Sequence, residues 1–448
     1  MKWTIAAVAG ALAFAGCSAP PGRDGHAARG QAADPQLAAF IARIRAVDNH
    51  THVNSVTPGD SDYDALPLDP IAPFELPVRV RNESPIWPPA LKALYGYPHD
   101  DLSDAHRAEL RASVKRTMDA QGDKFPAWAL DRIGIEVMLA NRIAMGPGLA
   151  PPRFRWVSYA DALIFPLSNN AEAKATPDRE KLFPLEDKLL ERYLSDLHIT
   201  KIPPSLDGYL ETVVAPTLEA QRRAGCVAVK FEAAYLRSLD FAQATREDAA
   251  RIYARYAARG EPSHGDYKTL QDFLFRFIAR EAGRLGMAVH IHSFEGAGNY
   301  FMTSGADPLL LEPVFNDPVL GTTRFVIIHG GGVFAAHAGA MLWKPNLFVD
   351  TSLMSFAYPP ERLAGVLRAW LTQFPEKVLF GSDASAFGPD LGWEVAAQAG
   401  TDNVREALAL ALTEMMRAGE VSRSRAEEIA TMVMRTNASR LYNLDLSH

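Results

Sequence analysis

Short apolar runs alternate with longer amphipathic segments over most of the chain, most regularly after residue 206. In the longer segments apolar residues recur three and four positions apart, which predicts helices, whereas the short runs are rich in Val, Ile and Phe and predict strands. We predict eight strands, one that begins at Val47 and seven at 134–140, 155–160, 226–231, 287–292, 324–329, 347–351 and 377–381, followed by two terminal helices at about 402–418 and 422–436. Strands that alternate with helices build a parallel sheet, and eight of them favour an α/β fold of the (β/α)8, or TIM, barrel type.

Two segments are longer than a connection between barrel strands requires. Residues 55–133 hold a Pro-rich stretch followed by a charged helical pattern, and residues 161–205 are polar at first and then helical. We predict that both are insertions at the carboxyl ends of the strands, where substrate loops usually lie. The segment MGPGLAPP between the second and third strands has no helix signal, although a crossover normally contains a helix. This connection is the least regular part of the predicted barrel.

The first residues have the pattern of an export signal. A positive charge precedes an apolar stretch from Trp3 to Ala15, and a Gly-Cys pair follows. The stretch is too short to span a bilayer, and this order of features is typical of secretory signal peptides. We therefore divide the chain into a signal peptide at 1–17, a flexible tether rich in Pro, Gly and Ala at 18–36, and the barrel at 37–448.

The sequence FAGC that ends at Cys17 resembles the lipobox of bacterial lipoproteins, in which that cysteine becomes the lipidated N-terminus. Phe stands where Leu is commoner at the first position, so an ordinary signal peptide cut nearby is the alternative. Ser18 rather than Asp after the cysteine favours, by the same resemblance, the outer membrane. The prediction is an exported protein on the periplasmic side of a Gram-negative bacterium, attached to the membrane only through its lipid.

Composition supports a globular fold and argues against a nucleic-acid partner. The chain has 448 residues, of which 48% are hydrophobic, so it can bury a large core. A net charge of -7 without any basic cluster disfavours binding to nucleic acid. Besides Cys17 the only cysteine is Cys226, inside a predicted strand, so no intramolecular disulfide is expected once Cys17 is lipidated or removed. We expect Cys226 to be a small buried hydrophobe.

Side chains suited to a metal centre follow several of the predicted strands. They are His50, His52, Lys230, His290, His292, His329 and Asp383. A parallel barrel brings the carboxyl ends of its strands together at one mouth, so these residues are expected to meet there. Imidazole and carboxylate together suit zinc or a similar divalent ion. In the NHTH and VHIH motifs two histidines are two positions apart, so both side chains point to the same side of an extended chain.

The alternation of side chains along a strand predicts that each candidate faces the barrel interior. The apolar residues between the candidates then face the surrounding helices. For the sixth strand, this reasoning places Phe325 and Ile327 inside with His329, and Val326 and Ile328 outside.

Each candidate also has a plain structural interpretation. His329 could be a core histidine beside a flexible glycine turn, Lys230 could pair with Glu232, and Asp383 could cap a helix. Candidates at five strand ends make it improbable that all of these interpretations hold together. The sequence therefore predicts a metal-dependent enzyme.

This pattern is similar to that of the amidohydrolase superfamily, and in particular of its amidohydrolase-2 branch. The resemblance covers roughly residues 44–445 and is strongest from about 224 onward, in the segments GCVAVKFEAAYLRSLDF, GMAVHIHSFEG, FVIIHGGG, NLFVDTSL, KVLFGSDAS and EEIATMVMRTNASRLYNL. The order His-X-His, Lys, His, His, Asp is specific for the superfamily but not for one reaction. The HGGG segment resembles the aminocarboxymuconate-semialdehyde decarboxylase group of the same branch.

The resemblance implies a role for each candidate. The implied metal ligands are His50 and His52 from the first strand, His292 or, as second choice, His290 from the fifth, and Asp383 from the eighth. His329 is implied as a ligand of a second metal or as a polarising residue. Lys230 matches the position that, in binuclear members, becomes a carbamate between two metals, so one or two ions, with zinc preferred, are expected.

The activity implied by the resemblance is metal-dependent hydrolysis of an amide, lactone or ester bond in a small organic substrate, with Asp383 as general base. Tyr235 and Arg237 are candidates to bind a substrate carboxylate, although a salt bridge within the protein explains Arg237 equally well. The alternatives are a metal-dependent non-oxidative decarboxylase and a catalytically silent surface-binding lipoprotein. The resemblance also leaves a homodimer open.

Overall fold

Eight parallel strands in sequential order form the centre of the fold. The computed structural model describes residues 32–446, and its strands are β1 Ala46–Thr51, β2 Ile135–Asn141, β3 Phe154–Tyr159, β4 Ala228–Phe231, β5 Ala288–His292, β6 Phe325–Ile328, β7 Leu347–Asp350 and β8 Val378–Leu379. Each strand pairs in parallel with the next. A parallel bridge from Thr51 to Ala384 returns the loop after β8 to β1 and nearly closes the sheet. The predicted (β/α)8 TIM barrel is confirmed.

Helices surround the barrel and fill both long connections. They are α1 Pro35–Ala42, α2 Trp87–Tyr95, α3 Asp104–Gln121, α4 Phe125–Ile133, α5 Asn170–Ala173, α6 Pro177–Asp196, α7 Leu206–Tyr209, α8 Ala215–Arg223, α9 Arg246–Tyr256, α10 His264–Arg284, α11 Glu312–Phe315, α12 Ala335–Met341, α13 Met354–Ala357, α14 Pro360–Leu371, α15 Trp393–Arg417, α16 Arg423–Thr431 and α17 Asn437–Tyr442. π-helical turns at Leu210–Val214 and Met432–Thr436 join α7 to α8 and α16 to α17. In the part of the chain that the structure describes, no helix combines the length and apolarity needed to cross a bilayer.

Polar caps explain where several of these helices begin. The side chains of Asp34, Thr176, Thr245 and Ser263 each accept a hydrogen bond from a backbone N–H in the first turn of the following helix. Such caps satisfy N–H groups that have no partner within the helix. Gly134, with a φ of 82°, ends α4 and turns the chain directly into β2.

The apolar side chains pack on both faces of the sheet, and the sixth strand corrects one prediction. Val326 and Ile328 pack with Ala228 in the barrel interior, whereas Phe325 packs against Phe315 in the helix layer. The predicted orientation of this strand was therefore wrong by one residue. Strands buried on both faces are apolar throughout, so their alternation carries no information about which face is inside.

The two long insertions lie against loops at the carboxyl ends of the strands. Arg111 of α3 forms a bidentate pair with Asp390 in the segment after β8, with Nη2 3.0 Å from Oδ2. Arg192 of α6 forms another with Asp62 in the segment after β1, at 2.6 and 3.1 Å. Planar, two-point contacts of this kind hold geometry better than single ion pairs. The first insertion is thus tied to the segment after β8, and the second insertion is tied to the first.

Of the two cysteines, only Cys226 lies in the part of the chain that the structure describes. Cys226 is fully buried and unbridged beside Ser158, as expected for a small core residue, and burial raises the pKa of its thiol. Cys17 and the predicted signal peptide lie outside the described residues, so lipidation stays a prediction.

Candidate metal centre

Three of the predicted ligands meet where β1 and the loop after β8 adjoin. The ligand atoms of His50, His52 and Asp383 all lie within 4.8 Å of one another. Asp383 Oδ1 is 3.1 Å from His50 Nε2 and 3.5 Å from His52 Nε2. The backbone N–H of Asp383 donates to the carbonyl of His50 at 2.8 Å, and Asp383 has a φ of 62°, which ends the strand direction at this point. Closure of the barrel therefore joins residues from opposite ends of the chain.

Burial and neighbouring charges together set the charge state of these groups. It lowers the pKa of His50 well below the usual range, so the imidazole is neutral and can bind a metal. Burial alone would also lower the pKa of His52, but the carboxylates of Asp64 and Asp383 raise it to about 9. Burial raises the pKa of Asp383 to about 7, against the opposing effects of His52 and Lys230.

Residues that the sequence analysis did not identify contact the Nδ1 atoms of His50 and His52, on the side of each ring away from Asp383. His52 Nδ1 is 3.1 Å from Asp64 Oδ2, and the hydroxyl of Tyr159 donates to Asp64 Oδ1 at 3.0 Å. The side-chain amide of Asn141 contacts His50 Nδ1. Asn141 and Tyr159 end β2 and β3, a position that could have marked them, whereas Asp64 lies in an insertion without any motif. Partners of this kind orient metal-binding imidazoles.

A second group of ligand atoms shares one member with the first. His52, Asp64 and Glu232 also have ligand atoms within 4.8 Å of one another. Glu232 is 5% exposed, and its Oε2 has no hydrogen-bond partner among the described residues. The centre thus has carboxylates on both sides of His52.

Lys230 lies between the two groups and is completely buried. Its Nζ is 3.3 Å from His50 Nε2 and 3.4 Å from Glu232 Oε1. The pairing with Glu232 that the sequence offered as an alternative is present. Carboxylation of Lys230 stays a prediction.

His292 and His329 contact each other beside this cluster. His329 Nε2 is 3.1 Å from His292 Nδ1, and the ring centroids of His329 and His50 are 5.0 Å apart. Neither residue belongs to the groups of ligand atoms within 4.8 Å among the described residues. His292 Nε2 is buried and has no hydrogen-bond partner there. Burial lowers the pKa of both imidazoles well below the usual range.

His290 faces a different partner from His292. Its Nε2 is 2.7 Å from the hydroxyl of Tyr442 in the C-terminal helix α17, and that hydroxyl also donates to Asn49. His290 thus joins α17 to the barrel interior. This contact favours His292, the first choice, over His290 as a ligand.

The loop after β6 explains the HGGG segment structurally. Gly330, Gly331 and Gly332 have φ values of 56°, 81° and 53°, a region that favours glycine. A Cβ on Gly330 would lie 2.4 Å from Trp370 and 2.8 Å from the carbonyl oxygen of Asp350. The close turn requires glycine, so the structure explains the HGGG motif without reference to a decarboxylase or any other reaction.

Tyr235 and Arg237 have different surroundings. The half-buried ring of Tyr235 lies 5.0 Å from that of His292, so it lines the site. The Arg237 guanidinium contacts Asp272 at 2.6 Å, Gln271 at 2.9 Å and the Asp240 carbonyl at 2.8 Å. These contacts favour the structural interpretation of Arg237 over substrate binding.

The donors at the mouth fit a divalent ion. Two imidazoles and a carboxylate are a set that zinc accepts. Asp383 Oδ1 is buried and lies within 3.5 Å of Nε2 of both histidines, so the three possible ligand atoms face one another. The group of His50, His52 and Asp383 is therefore a candidate site for a divalent metal ion.

Three solved structures share the fold at low sequence identity. A protein of Lactobacillus casei described as a metal-dependent hydrolase is 15% identical with a TM-score of 0.57, covering 91% of this chain and 97% of its own. Glucuronate isomerase of Caulobacter crescentus is 14% identical with a TM-score of 0.63, covering 92% and 94%. Uronate isomerase of Thermotoga maritima is 12% identical with a TM-score of 0.53, covering 91% and 96%.

No curated protein sequence matches the chain. The family model described as Amidohydrolase matches residues 208–444, more than half of the sequence. That segment includes Lys230, His292, His329 and Asp383, whereas His50 and His52 precede it. The chain belongs to the amidohydrolase family, whose members share a metal-dependent catalytic barrel.

Proposed function

We propose that this protein hydrolyses an amide, lactone or ester bond in a small organic substrate. The observation that carries the proposal is the group formed by His50, His52 and Asp383 at the barrel mouth, with ligand atoms within 4.8 Å. Active sites of such barrels lie at the carboxyl ends of the strands. We take zinc as the first candidate because its usual ligands include imidazole and carboxylate.

Each residue of this site has a separate role in the proposed hydrolysis. When bound, a divalent ion supplies Lewis acidity and makes water acidic enough to react near neutral pH. Asp383, which touches both histidines through Oδ1, accepts the proton of the attacking water and returns it to the leaving nitrogen or oxygen. Tyr235 lies beside His292, with its ring 5.0 Å away, where its phenol can contact the substrate. The buried rings limit access of bulk water.

The proposal is tested by turnover with a panel of amides, lactones and esters in water labelled with oxygen-18. We expect label in the acid product, and a loss of about 100-fold or more in kcat for Asp383→Asn at unchanged secondary structure. Asp390→Asn is the matched control, since Asp390 lies in the same segment but pairs with Arg111. Release of carbon dioxide, together with an organic product that contains no oxygen-18, would favour the decarboxylase instead. A near-normal rate for Asp383→Asn would refute the role of Asp383.

A further inference from the structure

A small cavity opens at the amino ends of the strands, on the face of the barrel opposite the metal centre. Its volume is about 180 Å³. Its walls are the start of β3, the turns before β4, β5 and β6, and residues 441–444 at the end of α17. Pockets for drug-sized ligands measure roughly 300–1,000 Å³, so this cavity suits a smaller molecule or ion.

Three arginines line this cavity without a balancing acid. They are Arg155, Arg222 and Arg324, and no Asp or Glu of the described residues lines it with them. Like charges around one cavity repel one another. A guanidinium presents several N–H groups in a plane that matches the oxygens of phosphate and carboxylate. The cavity is therefore suited by charge and by hydrogen-bond donors to an oxyanion.

Arg155 points into the amino end of the barrel. Val157, two residues further along β3, belongs to the apolar cluster of the barrel interior, and side chains two positions apart lie on the same side of a strand. Phe154 points the other way and contacts Trp393 of α15. The backbone of β3 thus directs the Arg155 side chain towards the cavity rather than towards the helix layer.

Arg155 lacks a partner within the described part of the chain. Its side chain is half-buried, its Nε is buried without a hydrogen bond, and no ion pair of residues 32–446 includes it. A charge removed from water without a partner is unfavourable. An anion in the cavity would supply both the hydrogen bonds and the countercharge.

The other two guanidiniums are fixed by backbone carbonyls. Arg222 donates from Nε to the carbonyl of Leu285 at 3.0 Å and from Nη1 to that of Cys226 at 3.2 Å. Arg324 donates from Nη1 to the carbonyl of Leu441. Carbonyl oxygens use only some of the five N–H donors of a guanidinium and leave its charge in place. Both arginines are thus positioned but not neutralised.

We propose that this cavity binds a small oxyanion between Arg155, Arg222 and Arg324. The bound anion joins β3 and the segments before β4 and β6 to the end of α17. Tyr442, which also lines the cavity, contacts His290 in the barrel interior through its hydroxyl at 2.7 Å. The anion therefore stabilises the closed amino end of the barrel, and its binding does not depend on the proposed hydrolysis or its metal.

The test is calorimetric titration of the purified, metal-supplemented protein (residues 18–448) with inorganic phosphate, with the ionic strength held constant by chloride. We expect one equivalent of phosphate to bind and to raise the melting temperature. Arg155→Met keeps the apolar stem but removes hydrogen bonds to a charged ligand, so it should weaken phosphate binding about tenfold or more.

Arg223→Met is the matched control. It removes the same charge beside Arg222, but the Arg223 side chain is 71% exposed, pairs with Glu219 and does not line the cavity. We expect phosphate affinity in this variant to equal that of wild type. Arg222→Met should weaken binding as Arg155→Met does, and it decides the question against Arg223→Met if Arg155→Met does not fold.

The remaining outcomes identify the ligand and the site. Tighter binding of acetate than of phosphate, lost in the same two variants, would support the site with a carboxylate as its ligand. No phosphate or acetate binding in the wild type would overturn the inference, as would equal affinities in wild type, Arg155→Met and Arg222→Met. His52→Ala should bind phosphate as wild type does, whereas loss of binding in this variant would place the phosphate at the metal centre and overturn the inference.

Discussion

Replacement of Arg237 by alanine should destabilise the protein rather than impair substrate binding. The Arg237 and Asp272 side chains are 7% and 4% exposed and meet at 2.6 Å, and the guanidinium also stacks 4.2 Å above the Phe241 ring. Removing one partner of a buried ion pair costs about 3–5 kcal/mol because the other charge is left buried. Lys268, 2.7 Å from Asp272, keeps one countercharge, so we expect the lower end of that range, about 3 kcal/mol.

The assay is denaturant unfolding of the metal-loaded protein, with the midpoint compared at an unchanged slope. Arg251→Ala is the control. The Arg251 side chain is 62% exposed and forms one ion pair, with Asp248, so its removal should change the free energy of unfolding little. Wild-type stability of Arg237→Ala, together with a raised KM for the substrate, would refute this reasoning and restore the carboxylate-binding role.

Three further predictions concern the metals, the pH response and the N-terminus. If Lys230 is a carbamate between two metals, Lys230→Ala should lower the metal content from two equivalents to one or fewer by elemental analysis, and one equivalent in both proteins would make it structural. The Arg423 pair lowers the pKa of Asp34 to about 2, so its stabilising effect should be complete above pH ~4, the unfolded value, and lost as the pH falls through about 2. The melting temperatures of wild type and Asp34→Asn should therefore become equal at low pH. A difference that does not change with pH would contradict the assignment. Cys17 should carry a lipid in the exported protein, with Cys17→Ala found in the aqueous phase of a detergent partition, whereas equal partitioning would favour an ordinary signal peptide.

The sequence predicts the barrel well because its strands are separate apolar runs bounded by polar segments. It places β2 and β5 within a residue of their observed bounds. The predicted helix at 402–418 instead begins at Trp393. Its first turns are followed by Gly400 and Thr401, two residues of low helix propensity, so the sequence pattern places the start of the helix after them.

The site was predictable only where motifs mark it. His50 and His52 stand out by their spacing, and Asp383 by the strand before it. Asp64 and Asn141 do not, because their roles come from contacts with His52 and His50 that exist only in the folded barrel. Local patterns identify groups that bind a metal, whereas the partners that orient those groups follow from the closed barrel.

The most direct test of the metal centre is the metal content of the purified, metal-supplemented protein (residues 18–448), compared with two histidine variants. His52→Ala removes a member of both ligand groups, and His337→Ala removes a histidine that pairs with Asp307 at 2.9 Å outside the centre. We predict at least one equivalent per chain in the wild type and in His337→Ala, and a clear loss in His52→Ala. No bound metal in the wild type, or the same content in all three proteins, would contradict the account.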